Sequence, residues 1–342
     1  DTGHRIANFM GDTGGWKSGL LLNTVKWAVE YNSQHVVCED PTKKPTVLYV
    51  TQENDIDETL ERMYAVVKGE DDPLELKNVE VRDVIRAFQE AGWARIDGVA
   101  AEDGVEPMSV HIKYRPSRSI STADLDGMID ELAMEGYEVR MVVHDYIKRI
   151  QPVEFSGDLR IDLGSTADEF SVIAKTRRIP FITAAQLNRE ATKQIEAMLA
   201  GQKVNVGKNL GISHAGESKL MIDNVDYAFV QFLETQKATE TTYLTLKRVK
   251  SRGRSITDWN FFCQPFVEGN GMKSKEDYGL AKSKAVFDLG DGLSDFNPGG
   301  AGTRSSAPPK RGPVMAPVLI NKSSTAQLGG ADLTADLDAV PE

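Results

Sequence analysis

The stretch Gly11-Asp12-Thr13-Gly14-Gly15-Trp16-Lys17-Ser18 decides the fold. It follows a short apolar run, Ile6 to Met10, and opens a helical pattern beginning with Leu20, Leu21 and Leu22. Small residues between a strand and a helix let consecutive backbone N–H groups curl around phosphate oxygens, and the helix N-terminus adds partial positive charge. In such a loop Lys17 reaches the β- and γ-phosphates of a nucleotide, and the Ser18 hydroxyl sits on Mg²⁺. The usual pattern carries Gly where this chain has Trp16, so the strict match fails at one position while Gly11, Lys17 and Ser18 are intact. Taken alone, the stretch reads equally well as an ordinary strand-to-helix turn. The surrounding sequence has to decide.

Working outward, the helix after the loop is apolar over much of its circumference (Leu20, Leu21, Leu22, Val25, Trp27, Ala28, Val29), as expected for one packed on a sheet, and ends near Asn32. Thr46 to Thr51 then reads as a buried strand that delivers Gln52 and Glu53 to its C-terminal end, where open α/β sheets place their chemistry. Glu53 is a candidate catalytic carboxylate, or else a solvated loop acid. Asn54 is expected to cap a helix carrying Ile56, Leu60, Met63, Tyr64 and Val67. The acidic run Glu70 to Asp72 reads as a solvated loop. Further helices are expected over 82–91 and 123–134, the latter capped by Thr122, with a strand over 109–114 between them.

Val139 to Tyr146 is a strand that brings Asp145 to the same edge. An apolar strand ending in Asp is the partner a phosphate loop needs, because that carboxylate holds Mg²⁺ through water. His144 is read as a packed strand residue rather than a catalyst. Residues 151–165 read as a loop, followed by a helix to Arg178 and a strand over 180–185 that leads into Gln186. From Glu190 to Ala215 the chain is polar and glycine-containing, with Lys193, Lys203, Lys208 and Asn209 spread along it, and reads as a surface loop. Strands resume over 227–232 and 243–249, and a basic hairpin tip (Lys247, Arg248, Lys250, Arg252, Arg254) turns into 259–266. Periodicity fades after residue 272. The stretch 273–342 is set apart as a low-complexity tail, disordered where Gly, Ser, Pro and Ala dominate.

With 342 residues, 40% of them apolar, the chain can build a substantial core, and strand–helix alternation makes it α/β with a mostly parallel central sheet. No apolar run approaches the roughly 18 residues of a membrane span, and no secretory pattern opens the chain. The sequence begins at Asp1, so further residues upstream are allowed for. Cys38 and Cys263 lack metal-site spacing, and a reduced cytosolic setting is the simplest reading. A net charge of -11 argues against wholesale coating of nucleic acid while leaving room for a locally basic channel.

These residues resemble the RecA-like motor domain of DnaB-type hexameric replicative helicases. Ala185-Gln186-Leu187-Asn188-Arg189 is similar to the family's Ser-Gln-Leu-Asn-Arg motif, and His144-Asp145-Tyr146-Ile147 resembles Ile-Asp-Tyr-Leu. Gln52-Glu53 falls where the family keeps its catalytic Glu. Glu217-Ser218, with Asp223 and Asp226 before an apolar strand, resembles Arg-Glu-Ser-Gly and its later acids. The motifs keep the family's order from about residue 5 to residue 266, and they favour the phosphate-loop reading. The chain departs from the family at Trp16, at Gly216 where Arg is frequent, and in the amino-terminal helical domain, which is not expected here. A bulky aromatic before the Lys occurs in some relatives of viral origin, which suggests a phage source and the host cytoplasm.

What the resemblance implies is specific. Residues 11–18 and Asp145 would bind ATP, with Ser18 and Asp145 on Mg²⁺. Glu53 would orient the attacking water, and Gln186 would sense the γ-phosphate. Lys250 and Arg252, with Arg254 as the alternative, would enter the neighbouring subunit's site in a homo-oligomer, expected to be a hexamer. Lys193, Lys203, Lys208 and Asn209 would grip single-stranded DNA without reading bases. A primase and a helicase loader are further partners it implies, with no membrane. The leading expectation is a ring-forming, ATP-driven 5′-to-3′ helicase. A RecA-like recombinase ATPase and a DNA-binding scaffold with an inactive loop are the alternatives.

Overall fold

The computed structural model describes residues 4–32, 36–68, 108–202, 206–216, 219–236, 241–252, 261–267 and 271–272. The strands are β1 (Ile6–Gly11), β2 (Lys44–Thr51), β3 (Ser109–Tyr114), β4 (Tyr137–Asp145), β5 (Phe181–Gln186), β6 (Tyr227–Gln236), β7 (Thr241–Ser251), β8 (Phe261–Val267) and β9 (Gly271–Met272). They line up as β3-β2-β4-β5-β1-β6-β7-β8-β9. The first six positions in that order pair in parallel and the last three antiparallel. This is an α/β fold with a mostly parallel sheet, as the sequence led one to expect.

Period-two alternation splits the sheet residues between two cores. Val47, Tyr49 and Val143 face one side, where α1 (Lys17–Asn32) buries Leu21, Leu22, Val25 and Val29, and α2 (Ile56–Lys68) buries Met63 and Val66. Leu48, Val50 and Val142 face the other. There α3 (Thr122–Met134) contributes Leu125, Ile129 and Leu132, and α4 (Leu159–Thr176) contributes Leu163, Phe170 and Ile173. Both faces of the parallel strands are therefore covered, which explains their unbroken apolar runs. Phe170 stacks on Phe181 at 4.1 Å between centroids.

Local details differ from the sequence reading. Asp55, one residue after the expected cap, accepts the Glu58 N–H at 2.8 Å and starts α2. Ser121 rather than Thr122 caps α3. Its hydroxyl accepts from Asp124 N–H while the Asp124 carboxylate accepts the Ser121 N–H, and Thr122 is the first, buried, helical residue. Helix α4 starts at Leu159 behind an Asp158 cap, inside the stretch read as loop. Gly164 in that helix is where Leu220 packs, since a Cβ there would lie 2.9 Å from Leu220 Cβ.

The stretch read as surface loop holds the helices α5 (Arg189–Leu199) and α6 (Val206–Asn209), and α7 (Lys219–Asn224) follows just beyond it. Helix α5 begins at an Asn188 cap and buries only Ala191 and Ile195, a stripe too thin to stand out from its polar residues. The expected helix over 82–91, the acidic run at 70–72, Lys203, Glu217, Ser218, Arg254 and the tail 273–342 lie outside the described residues. Among the described residues no helix is long and apolar enough to cross a membrane.

Candidate nucleotide-binding site

Register brings the site together. Gly11 pairs with Gln186 and Thr51 with Asp145, so four parallel strands end at one edge carrying the glycine-rich loop, Glu53, Asp145 and Gln186. The loop itself is a tight turn closed by Gly15 N–H on the Asp12 carbonyl at 3.0 Å. The first helical bond of α1 runs from Leu20 N–H to the Trp16 carbonyl. The N–H groups of Lys17, Ser18 and Gly19 thus fall in the unbonded first turn and are available to an anion.

Trp16 adopts φ 61°, in the left-handed region that explains why Gly is usual there. A non-Gly residue in that conformation costs about 1–2 kcal/mol, which the packing of its indole must offset. The ring meets Phe266 edge-to-face at 5.1 Å and lies over Gly19, where a Cβ would come within 2.1 Å of Trp16 Cε2.

Four groups hold the loop. Gln186 donates Nε2–H to Thr13 Oγ1 at 2.6 Å, and the Thr192 hydroxyl donates to Asp12 Oδ1 at 2.8 Å. From behind, Gln231 Nε2–H donates to the Gly15 carbonyl at 2.5 Å. Gly11 permits this approach, because a Cβ there would sit 2.8 Å from Gln231 Cγ. Lys17 donates to the Asp12 carbonyl at 2.6 Å, folded over its own loop. Burial lowers the Lys17 pKa, while Glu53, Asp145 and Asp12 pull it back up.

Asp145 is wholly buried, and burial pushes its pKa up to about 6, with the neighbouring Glu53 charge acting in the same direction. Hydrogen bonds from Ser18 and from Tyr49, the latter at 3.2 Å, and the Lys17 charge oppose the rise. Asp145 Oδ1 is buried without a hydrogen-bond partner. A serine hydroxyl beside a carboxylate with one unused oxygen is the donor set of a hard cation that keeps several waters, so the residues fit Mg²⁺. Among the described residues no group of three or more His, Cys, Asp or Glu side chains gathers to hold a metal without such help.

Glu53 is 37% exposed, and the Arg149 guanidinium lies 3.4 Å from its Oε1. Arg149 follows Asp145 in a short 3-10 turn and lies over the Tyr146 ring. His144 is buried, 3.0 Å from Gln52 Oε1, and burial lowers its pKa to about 3, as befits a neutral packed strand residue. A cleft of about 400 Å³ opens between these elements, within the range of small-ligand sites. Thr13, Gly14, Trp16, Lys17, Ser18 and Gly19 line one side, Glu53, Asn54, Arg62 and Val66 another, with Tyr146 and Gln186 between.

The remaining sequence candidates lie elsewhere. Lys250 and Arg252 are not on a hairpin tip. Lys250 is inside β7, paired with Ala228, and Arg252 follows its end, because the β6–β7 connection lies at the far end of both strands. Both are at the sheet edge opposite the loop, held by their own chain. Lys250 Nζ donates to the Ile222 and Asp223 carbonyls at 2.7 Å, and Arg252 reaches the Asp223 carbonyl at 3.2 Å and Asp226 at 3.4 Å. Asp226 also accepts Ile6 N–H and pairs with Arg5, so it ties the start of β1 to the end of β7. Lys193 is exposed on α5, not on a loop, and Asn209 is exposed at the end of α6, which also carries Lys208. Gly216 has its reason in packing: its N–H donates to the Gln186 carbonyl, and a Cβ would lie 2.2 Å from that oxygen.

The sequence reading missed Arg62, Arg149, Thr192 and Gln231. Arg62 alone left a trace, standing on the helix face of Glu58 four residues earlier, with which it pairs at 2.6 Å.

A family model for divergent DnaB-like ATPases matches residues 9–284. Among solved structures the chain is similar to an ATPase domain solved by itself, with a TM-score of 0.56, 11% identity, and coverage of 80% of this chain and 85% of that one. It is also similar to a DnaB-like replicative helicase whose structure is described with its interactions with primase, with a TM-score of 0.55, 11% identity, and coverage of 80% of this chain and 58% of that one. At such identity these likenesses speak for the fold. No well-characterised protein matches the sequence. The family match spans most of the chain, including the glycine-rich loop from its first residue and all four strand ends that form the cleft: the protein belongs to the divergent DnaB-like ATPases.

Proposed function

We propose that this protein is an ATP-driven DNA helicase that moves 5′ to 3′ on single-stranded DNA as a ring of identical subunits. The observation that carries the reading is the convergence of Lys17, Ser18, Glu53, Asp145 and Gln186 on one sheet edge, with Gln186 bonded to the phosphate loop at Thr13. A bound Mg²⁺, held by Ser18 and Asp145, supplies positive charge to the phosphate oxygens. Lys17 leaves the Asp12 carbonyl and sets its ammonium against the β- and γ-phosphates. Glu53 turns from Arg149 toward the attacking water and accepts its proton as the water oxygen bonds to the γ-phosphorus and the bridging oxygen leaves with ADP.

Coupling to DNA runs through two bonds on the loop. Gln186 reads Thr13 from the end of β5, and Thr192 reads Asp12 from α5, where the neighbouring Lys193 is exposed. A change at the γ-phosphate can therefore move the helix that would hold the strand, with Lys203, Lys208 and Asn209 as further contacts. Lys250 and Arg252 are too far from their own loop to serve it, at the other end of strands roughly 20 Å long. Their use as charge donors requires a neighbouring subunit, which supports the ring. Primase and a loader are partners carried over from the relatives.

The test is unwinding of forked duplexes with a free 5′ or 3′ tail, with electron microscopy of the same samples. ATP-dependent unwinding from the 5′ tail by closed rings supports the proposal. Filaments without unwinding point to recombinase chemistry, and monomers without hydrolysis to an inactive scaffold.

A further inference from the structure

The phosphate loop carries a large aromatic residue in a backbone conformation that disfavours it, and the surroundings accommodate the ring rather than the backbone. Gly19 leaves room under the indole, and Phe266 supports its edge at 5.1 Å. The ring is partly exposed and lines the cleft beside Lys17 and Ser18. Position along the nucleotide follows from the helix start. Lys17 serves the β- and γ-phosphates, and Gly19 is the last residue before the first bonded N–H of α1, at Leu20. A ring resting on Gly19 therefore stands beyond the phosphate cradle, on the side where the α-phosphate leads to the sugar and base.

We propose that Trp16, supported by Phe266, is the nucleobase platform of this site: its indole stacks on the base of a bound nucleoside triphosphate. The inference rests on the nucleotide-site reading and adds the residue that recognises the base. It also accounts for the departure from Gly at this position, because a contact to the ligand offsets the backbone strain. Stacking engages the π-face that all bases share, so the platform accepts any nucleoside triphosphate and favours purines for their larger face.

The experiment compares binding of ATP and of inorganic triphosphate, both with Mg²⁺, to the wild-type chain, Trp16→Gly and Trp16→Phe. Glycine is the residue that φ 61° prefers, so Trp16→Gly relieves the loop while deleting the platform. ATP binding to Trp16→Gly should weaken by roughly 5- to 150-fold, the range of base–aromatic stacking, while triphosphate binding stays within about twofold and Trp16→Phe retains most ATP affinity. Unchanged or tighter ATP binding by Trp16→Gly overturns the proposal, as does equal weakening of ATP and triphosphate, which would make Trp16 a shaper of the loop. A wild-type chain that binds neither compound refutes the nucleotide site itself, and the platform with it.

Discussion

Gly19→Ala should destabilise the protein, although alanine is the better helix former. The new Cβ would lie 2.1 Å from Trp16 Cε2, 2.4 Å from Nε1 and 2.5 Å from Cδ2. Ordinary contact needs about 3.4 Å or more, so a rigid indole must retreat by more than an ångström toward Phe266. Overpacking of this kind costs about 1–3 kcal/mol. The gain from replacing Gly in a helix is at most about 1 kcal/mol and is smaller in the first turn, so the net loss is about 1–2 kcal/mol. Thermal melts should show a drop of about 2–6 °C for a domain of this size. Gly127→Ala in α3 is the control: nothing lies within 4 Å of its Cβ position, and it should raise Tm slightly. In the Trp16→Gly background Gly19→Ala should lose its penalty, a coupling of about 1–3 kcal/mol. Should Gly19→Ala melt at or above Gly127→Ala, or the coupling vanish, the packing of Trp16 on Gly19 is wrong.

Three further outcomes follow from the site. Because Asp145 has its pKa raised to about 6, the folded chain holds a proton that the unfolded chain releases from about pH 4 upward; stability therefore falls as pH rises from about 4 to 6, by up to about 3 kcal/mol, and levels off above. Denaturant melts of the nucleotide-free protein across that window check this, and Asp145→Asn should flatten the profile. Replacing Lys193, Lys203 and Lys208 by Ala should weaken binding to any single-stranded sequence and lower the slope of log affinity against log salt by about 0.7 per contact; an unchanged slope would put these lysines outside the channel. Arg252→Ala subunits should bind ATP yet hydrolyse little, given that arginine fingers contribute roughly 10³ to 10⁵ in rate, and mixing them with Lys17→Ala subunits should restore part of the activity. If mixed rings assemble and remain inactive, Arg252 serves its own chain, where it already bonds Asp223 and Asp226.

The parts legible in the sequence were those written in local pattern. Four apolar strands ending in Gly11, Thr51, Asp145 and Gln186 each announced themselves, and parallel pairing brought their ends to one edge. Helix α5 was not legible, because a helix that buries two residues looks like a polar loop. Lys250 looked like a hairpin tip because charge clusters there, whereas its long stem packs along β7 and its ammonium finds the carbonyls at the end of α7. Gln231 could not be found from the loop, since the bond to Gly15 joins residues 216 apart and depends on β6 lying next to β1. The φ of Trp16 has the same character: a glycine position filled by tryptophan looks like a defect until Gly19 and Phe266 are placed around it.

The central claim is that the loop at the end of β1 binds Mg·ATP for hydrolysis, with Lys17 and Glu53 in separate roles. The most direct measurement is steady-state ATP hydrolysis with and without single-stranded DNA, set beside nucleotide affinity, for the wild-type chain, Lys17→Ala and Glu53→Gln. Wild type should hydrolyse ATP and be stimulated by DNA. Lys17→Ala should lose hydrolysis while keeping its fold, and Glu53→Gln should keep nucleotide affinity while its turnover falls by roughly 10²- to 10⁴-fold. Hydrolysis by Lys17→Ala at the wild-type rate would contradict the claim.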